Sequence, residues 1–131
     1  MTGQPLVSIV TPTYNMARFL PETIESILSQ DYPNIQYIVM DGGSKDGTVE
    51  ILESYGSRLE WASERDGGQS DAVNKGFQRA RGQIFTFLNA DDIYYPGAVR
   101  AAVEAFARQP EAGVVYGNAW YTNEDGSRLR R

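Results

Sequence analysis

The chain has 131 residues, 12 basic and 17 acidic side chains for a net charge of −5, 41% apolar residues, and neither cysteine nor histidine. That length suits one domain able to bury a packed core. The missing cysteine and histidine exclude a disulfide framework, a zinc, copper, haem or iron–sulfur centre, and any nucleophile activated by histidine. Acid–base chemistry falls to carboxylates, lysine or tyrosine, and metal binding to hard cations held by oxygen. The negative charge argues against a nucleic-acid partner, which calls for a broad basic face. Arg128, Arg130 and Arg131 form the one basic cluster, read as a solvated tail or the cut end of a longer protein. No stretch is long and apolar enough for a membrane span, and Met1 to Pro5 lacks the character of a signal peptide. The chain is therefore expected to be soluble and cytoplasmic, or at the inner face of the membrane within a full-length protein.

Short β-rich runs alternate with segments of helical period. Leu6 to Val10 is a strand expected to stop at Thr11-Pro12. Leu20, Ile24, Ile27 and Leu28 then share one helical face. A second strand, Ile35 to Met40, ends in Asp41-Gly42-Gly43-Ser44, and Asp46-Gly47-Thr48 opens a helix carrying Val49 and Leu52. A weaker strand near Leu59 to Ala62 leads through Gly67-Gly68 into a helix with Val73, Phe77 and Ala80 at helical spacing. The apolar strand Ile84 to Leu88 runs straight into Asn89-Ala90-Asp91-Asp92. Pro96 then sits where a helix starts, and Val99, Val103 and Phe106 form its buried stripe. A fifth strand is expected from Gly113 to Tyr116, and a strand or hairpin from Trp120 to Leu129 around Asp125-Gly126.

Strands separated by helices of this length imply right-handed βαβ units. The expected fold is α/β: three layers, with a doubly wound, mostly parallel, Rossmann-like sheet. Such sheets bind ligands beyond the carboxyl ends of their strands, where strand order reverses. Polar, small and turn residues gather at those ends, in Thr11 to Asn15, Asp41 to Ser44, and Asn89 to Asp92. Three loops should converge on one rim.

Asp91-Asp92 carries the most chemistry. Adjacent carboxylates repel and raise one another's pKa unless a cation or hydrogen-bond donors neutralise them. The alternative is a helix start, where Asp offsets the macrodipole and caps free amides. So few carboxylates suit Mg2+ or Mn2+, which keep several waters and share a phosphate-bearing ligand. That combination points to a nucleoside diphosphate. In Asp41-Gly42-Gly43-Ser44 the glycines admit close approach of a ligand to the backbone, and Asp41 can accept from a base or sugar edge. A plain Asp-Gly turn with a cap at Ser44 or Asp46 would look the same. Walker, EF-hand and GxGxxG patterns are absent, so a metal is expected to hold the phosphates in place of a glycine cradle. Tyr14 can stack a base beside the rigid Pro12, or simply pack its loop. Lys75 stands one turn from Asp71 and reads either as a surface ion pair or as a diphosphate contact.

Val7 to Asn15, the Asp41-Gly42-Gly43-Ser44-Lys45-Asp46-Gly47-Thr48 loop and Phe87 to Asp92, in that order, resemble the nucleotide-binding half of family 2 glycosyltransferases. The resemblance runs from about Pro5 to Tyr116. It implies the glycosyltransferase A-type fold, truncated here to the nucleotide-sugar-binding half of a catalytic domain spanning residues 1–131, with the acceptor-binding half missing. It further implies a nucleotide-sugar donor, with UDP favoured, a divalent cation, and transfer with inversion to a hydroxyl of a glycan, lipid or other acceptor. Thr11, Pro12 and Tyr14 would surround the base. Asp41 would bind its edge with Gly42 beside it, Asp91 would meet ribose or metal, and Asp92 would be the metal ligand contacting the diphosphate. Two departures stand out: Asn89 occupies a position where the family often has Asp, and the family's acceptor-activating carboxylate falls downstream of this sequence. No residue here is assigned as that base. The expected mechanism is a single displacement in which a carboxylate deprotonates the acceptor hydroxyl and the metal stabilises the departing diphosphate. A non-catalytic nucleotide-sugar-binding module is the alternative. A receiver-type domain would place its acidic pair after the first strand, and a dinucleotide oxidoreductase would carry the missing glycine fingerprint. A truncated sheet would leave an edge or apolar surface open, which makes a homo-oligomer an expected partner state.

Overall fold

A computed structural model describes residues 3–123 and 127–130. Its elements are β1 (Val7–Thr13), α1 (Leu20–Leu28), β2 (Ile35–Asp41), α2 (Thr48–Ser54), a 3₁₀ turn (Gly56–Arg58), β3 (Glu60–Ser63), α3 (Gln69–Arg79), β4 (Ile84–Phe87), α4 (Ala98–Arg108), β5 (Tyr121–Thr122) and β6 (Arg128–Arg130). The first four strands make one parallel sheet in the order β3-β2-β1-β4. The chain winds outward from β1 through β2 to β3, then returns to the other side of β1, so strand order reverses between β1 and β4.

Alternation along the strands builds a core on each face of the sheet. Ile9, Tyr37 and Val39 point to one side and pack with Leu20, Ile24 and Ile27 of α1, Leu52 of α2, and Val99 and Val103 of α4. Val10, Ile38 and Met40 point to the other and meet Ala72 and Phe77 of α3. The three layers expected from the sequence are present. No helix among the described residues is long and apolar enough to cross a membrane.

β1 does not stop at Thr11-Pro12; it continues to Thr13 and stays paired with β2 as far as Asp41. The even residues of β1 direct their backbone groups toward β4, as the bond from Leu88 N to Val10 O shows. β4 has ended by the level of Pro12. The missing N–H of Pro12 therefore faces a side with no ladder, where proline costs no hydrogen bond. The expected strand from Gly113 to Tyr116 does not form. Val114 is 79% exposed and Tyr116 92% exposed, and the run pairs with no strand among the described residues. Apolar composition without a neighbour to satisfy the backbone does not make a strand. β4 is consequently an edge strand, with Phe85 and Phe87 half exposed and Phe77 of α3 against Phe85. β5 and β6 form the closing antiparallel pair; Asp125-Gly126, expected at its turn, lie outside the described residues.

Candidate nucleotide site

Four loops meet at the carboxyl end of the sheet around a cavity of about 540 Å3. That volume lies within the usual range for small-molecule sites. Pro12, Thr13 and Tyr14 enter it from the end of β1, and Gly42 from the end of β2. Arg65 and Asp66 follow β3, Gly68, Gln69 and Ala72 begin α3, and Asn89, Ala90 and Asp91 follow β4. The loop after β3 was not among the three expected. Its signals in the sequence are that it too follows a strand, a weakly patterned one, and that it carries Gly67-Gly68.

Of the residues singled out in the sequence, Pro12, Tyr14, Gly42 and Asp91 line this cavity together, with Tyr14 61% exposed and open to a stacking partner. Thr11 lies elsewhere: it is fully buried, its Oγ1 2.8 Å from the hydroxyl of Tyr37. Thr13, two residues on, takes the position in the wall. Its Oγ1 is buried and without a hydrogen-bond partner among the described residues. Such an atom costs about 1–3 kcal/mol unless a ligand or water completes it. Lys75 is outside the wall, held by Glu64 at 3.3 Å and by Asp71 at 3.4 Å. Arg65 is the cation that lines the cavity.

Asp41 is only 1% exposed, and its carboxylate faces inward. It accepts from Gly43 N at 3.2 Å, Ser44 N at 2.9 Å, Ser63 Oγ at 2.7 Å and the Ser44 hydroxyl. With three donors on Oδ2 and one on Oδ1 it organises its own loop, and it does not line the cavity. Ser44 Oγ in turn accepts from Asn15 N, whose φ of 52° lets the β1–α1 loop fold back. The carboxylate of Asp46 completes this clasp. It accepts from Ala17 N and from the N–H and hydroxyl of Thr48 at the start of α2.

Those donors, the Thr48 hydroxyl first, hold the Asp46 pKa below its ordinary value. A lowered folded pKa stabilises the native state above the unfolded value, and the contribution is lost as pH falls through the lowered one. Asp46→Ala is expected to cost about 1 kcal/mol at neutral pH, kept small by solvent screening, and less at pH 3. Urea unfolding at the two pH values measures this, and an equal cost at both would contradict it.

Asn89, Ala90 and Asp91 close the β4 side, and Asp92, expected as the metal ligand, follows them outside the cavity lining. Gln69 Nε2 donates to Asn89 Oδ1 at 2.6 Å and ties α3 to the acidic loop. Thr23 Oγ1 reaches the backbone oxygens of Ala90 (2.9 Å) and Asp92 (2.6 Å), fixing the loop from α1. The pKa of Asp92 is raised, first by partial burial and then by the neighbouring charge of Asp91, against a hydrogen bond from Asn89. A carboxylate so placed is poorly compensated as an anion and fits a divalent cation. Among the described residues no group of three or more acidic side chains could enclose one. A cation here would keep waters and take further oxygens from a ligand, as Mg2+ and Mn2+ do.

Residues 8–131 match the family model described as Glycosyl transferase family 2. An uncharacterized glycosyltransferase of Rickettsia felis is 37% identical over 129 residues, covering 96% of this chain and 21% of its own length. Among solved structures, the mannosyltransferase PcManGT of Pyrobaculum calidifontis, in complex with GDP-Man and Mn2+, superposes with a TM-score of 0.73 at 30% identity. That alignment covers 81% of this chain and 33% of the other. S. aureus TarS in complex with UDP-GlcNAc gives a TM-score of 0.71 at 25% identity, over 79% and 31% of the respective chains. The chain thus spans about a fifth to a third of the length of these relatives.

Proposed function

The chain belongs to glycosyl transferase family 2, and from that premise we propose that its cavity binds the nucleoside diphosphate of a sugar donor, UDP in the first instance. The whole enzyme would be an inverting, metal-dependent transferase. The observation that carries this reading is the cavity itself. It lies at the switch point of a parallel sheet, with an aromatic ring on one wall and Asp91 on the other.

Tyr14 and Pro12 would flank the base, Gln69 would stand toward the diphosphate beside Asn89 and Asp91, and Arg65 would add positive charge to the cavity. Asp91 and Asp92 would hold Mg2+ or Mn2+. The bound cation supplies positive charge that offsets the charge of the departing diphosphate. Deprotonation of the acceptor hydroxyl requires a base, and we assign it to a part of the enzyme outside these 131 residues, as the family resemblance implies. Residues 1–131 are accordingly proposed as the donor-binding half, acting on an acceptor hydroxyl bound elsewhere. The open edge of β4 supports self-association, which sedimentation across a concentration series would register.

Titration calorimetry tests the donor reading. UDP is expected to bind this chain with Mn2+ and far more weakly without it, and sugar transfer to be slow or undetectable. Equal binding with and without metal, or full turnover by these residues alone, would overturn the reading.

A further inference from the structure

We propose that Asp66, not Asp41, is the carboxylate that reads the base of the bound nucleotide, accepting a ring N–H (N3–H in uracil). This deepens the donor reading and rests on it.

Asp41 is 1% exposed and outside the cavity lining, and four donors already hold it within its own loop. Asp66 stands in the cavity wall beside it. Its Oδ1 accepts from Gly68 N at 2.9 Å, and its Oδ2 has no partner among the described residues. The carboxylate owes its position to the glycine opposite. A Cβ on Gly42 would lie 3.0 Å from Oδ2 and 3.2 Å from Oδ1, so any side chain there would push the Asp66 carboxylate from this position by a few tenths of an ångström. Gly42 is therefore needed for the space it vacates, because its φ is not in the left-handed region.

Charge decides which end of the nucleotide Asp66 meets. An anionic oxygen repels a diphosphate. Asp66 lies beside the end of β2, whereas Asp91 follows β4, and β1 runs between them. A nucleotide with its phosphates toward Asp91 would extend its base toward Tyr14, Gly42 and Asp66. A single free carboxylate oxygen accepts from the N3–H of uracil and is repelled by the N3 lone pair of cytosine. Thr13 Oγ1, the orphan in the same wall, is a second polar atom that a base could complete.

The test is calorimetry with UDP, CDP and 2′-deoxy-UDP at fixed Mn2+, on the wild-type chain and on Asp66→Asn and Gly42→Ala. Asn keeps the acceptor toward Gly68 N and replaces the free acceptor with a donor; Gly42→Ala keeps Asp66 and displaces it. The wild type should prefer UDP over CDP by about tenfold or more, the range of one charge-assisted hydrogen bond. Asp66→Asn should bring the two within about threefold by weakening UDP and strengthening CDP, and Gly42→Ala should weaken UDP alone. An unchanged UDP-to-CDP ratio in both variants would overturn the assignment while leaving the donor reading intact. So would an Asp66-dependent loss shared by UDP and CDP and absent for 2′-deoxy-UDP, which would place the carboxylate on the ribose. Failure of all three nucleotides to bind the wild type would reject the donor reading itself, and this assignment with it.

Discussion

Gly76→Val is expected to lower the stability of the chain by at least about 3 kcal/mol, a large share of the roughly 5–15 kcal/mol that holds a domain together. Gly76 is buried in α3, where the helix crosses β1. A Cβ there would lie 2.4 Å and 2.8 Å from the two γ-methyls of Val10 and 3.2 Å from its Cβ. Rotating Val10 about χ1 can turn only one methyl away, leaving the other and Cβ in the way. The Val10 backbone cannot retreat either, being paired with Ile38 on one side and Phe87 on the other. Alanine at 76 meets the same obstacle with fewer atoms. Its helix propensity returns about 1 kcal/mol, against an overpacking cost of about 1–3 kcal/mol. Gly76→Ala should therefore be mildly destabilising, where an exposed helical glycine would give a gain. Urea midpoints for Gly76→Ala, Gly76→Val, Val10→Ala and the double variant Val10→Ala/Gly76→Ala isolate the contact. With both methyls gone, Gly76→Ala should become stabilising. A gain of the full propensity increment in the wild-type background would show that α3 can lift away from the sheet.

That collision also marks where reading the sequence ends. Asn74-Lys75-Gly76 shows a glycine in a helical segment and nothing of what crosses it. The four parallel strands and four helices were legible because each carries an apolar stripe of its own period, and the rim was legible because three strands end in small or acidic residues. Errors arose where pairing overrode local signals. Pro12 reads as a stop, yet β1 passes through it, so Thr11 lies inside the sheet while Thr13, on the same face at the strand's end, reaches the cavity. Gly113 to Tyr116 reads as a strand but has no neighbour to pair with. Asp41 has the composition of a ligand-binding residue, and only its four donors show that its loop consumes it. Asp66 was hidden for a related reason: half-buried β3 gives its end no sharp boundary, and the space that admits Asp66 is made by a glycine 24 positions earlier.

Asp91→Ala should reduce Mn2+-dependent UDP affinity by about 100-fold or more, since even outer partners of a metal ligand cost 10–100-fold when removed. The site has no reserve. Without Asp91, Asp92 and the neutral Asn89 are the oxygen donors left on this loop, and Asn89 Oδ1 already accepts from Gln69. Metal-free UDP affinity should change much less, because Tyr14, Pro12 and Arg65 are untouched. The pH dependence carries a second signature. The Asp92 pKa is raised above its ordinary 3.8 by burial and then by Asp91. A raised folded pKa favours the native state at low pH, and that stabilisation is lost as pH climbs from the unfolded value through the folded one. Over the same window the proton leaves and a cation can take its place, so Mn2+ affinity should rise with pH. Asp91→Asn removes the neighbouring charge, which should move the midpoint of that rise to lower pH while weakening binding throughout. Calorimetry from pH 4 to pH 7 on the two chains separates these effects. A wild-type affinity flat across that range, or an Asp91→Asn midpoint moved upward, would mean that Asp92 is not the group whose proton the metal displaces.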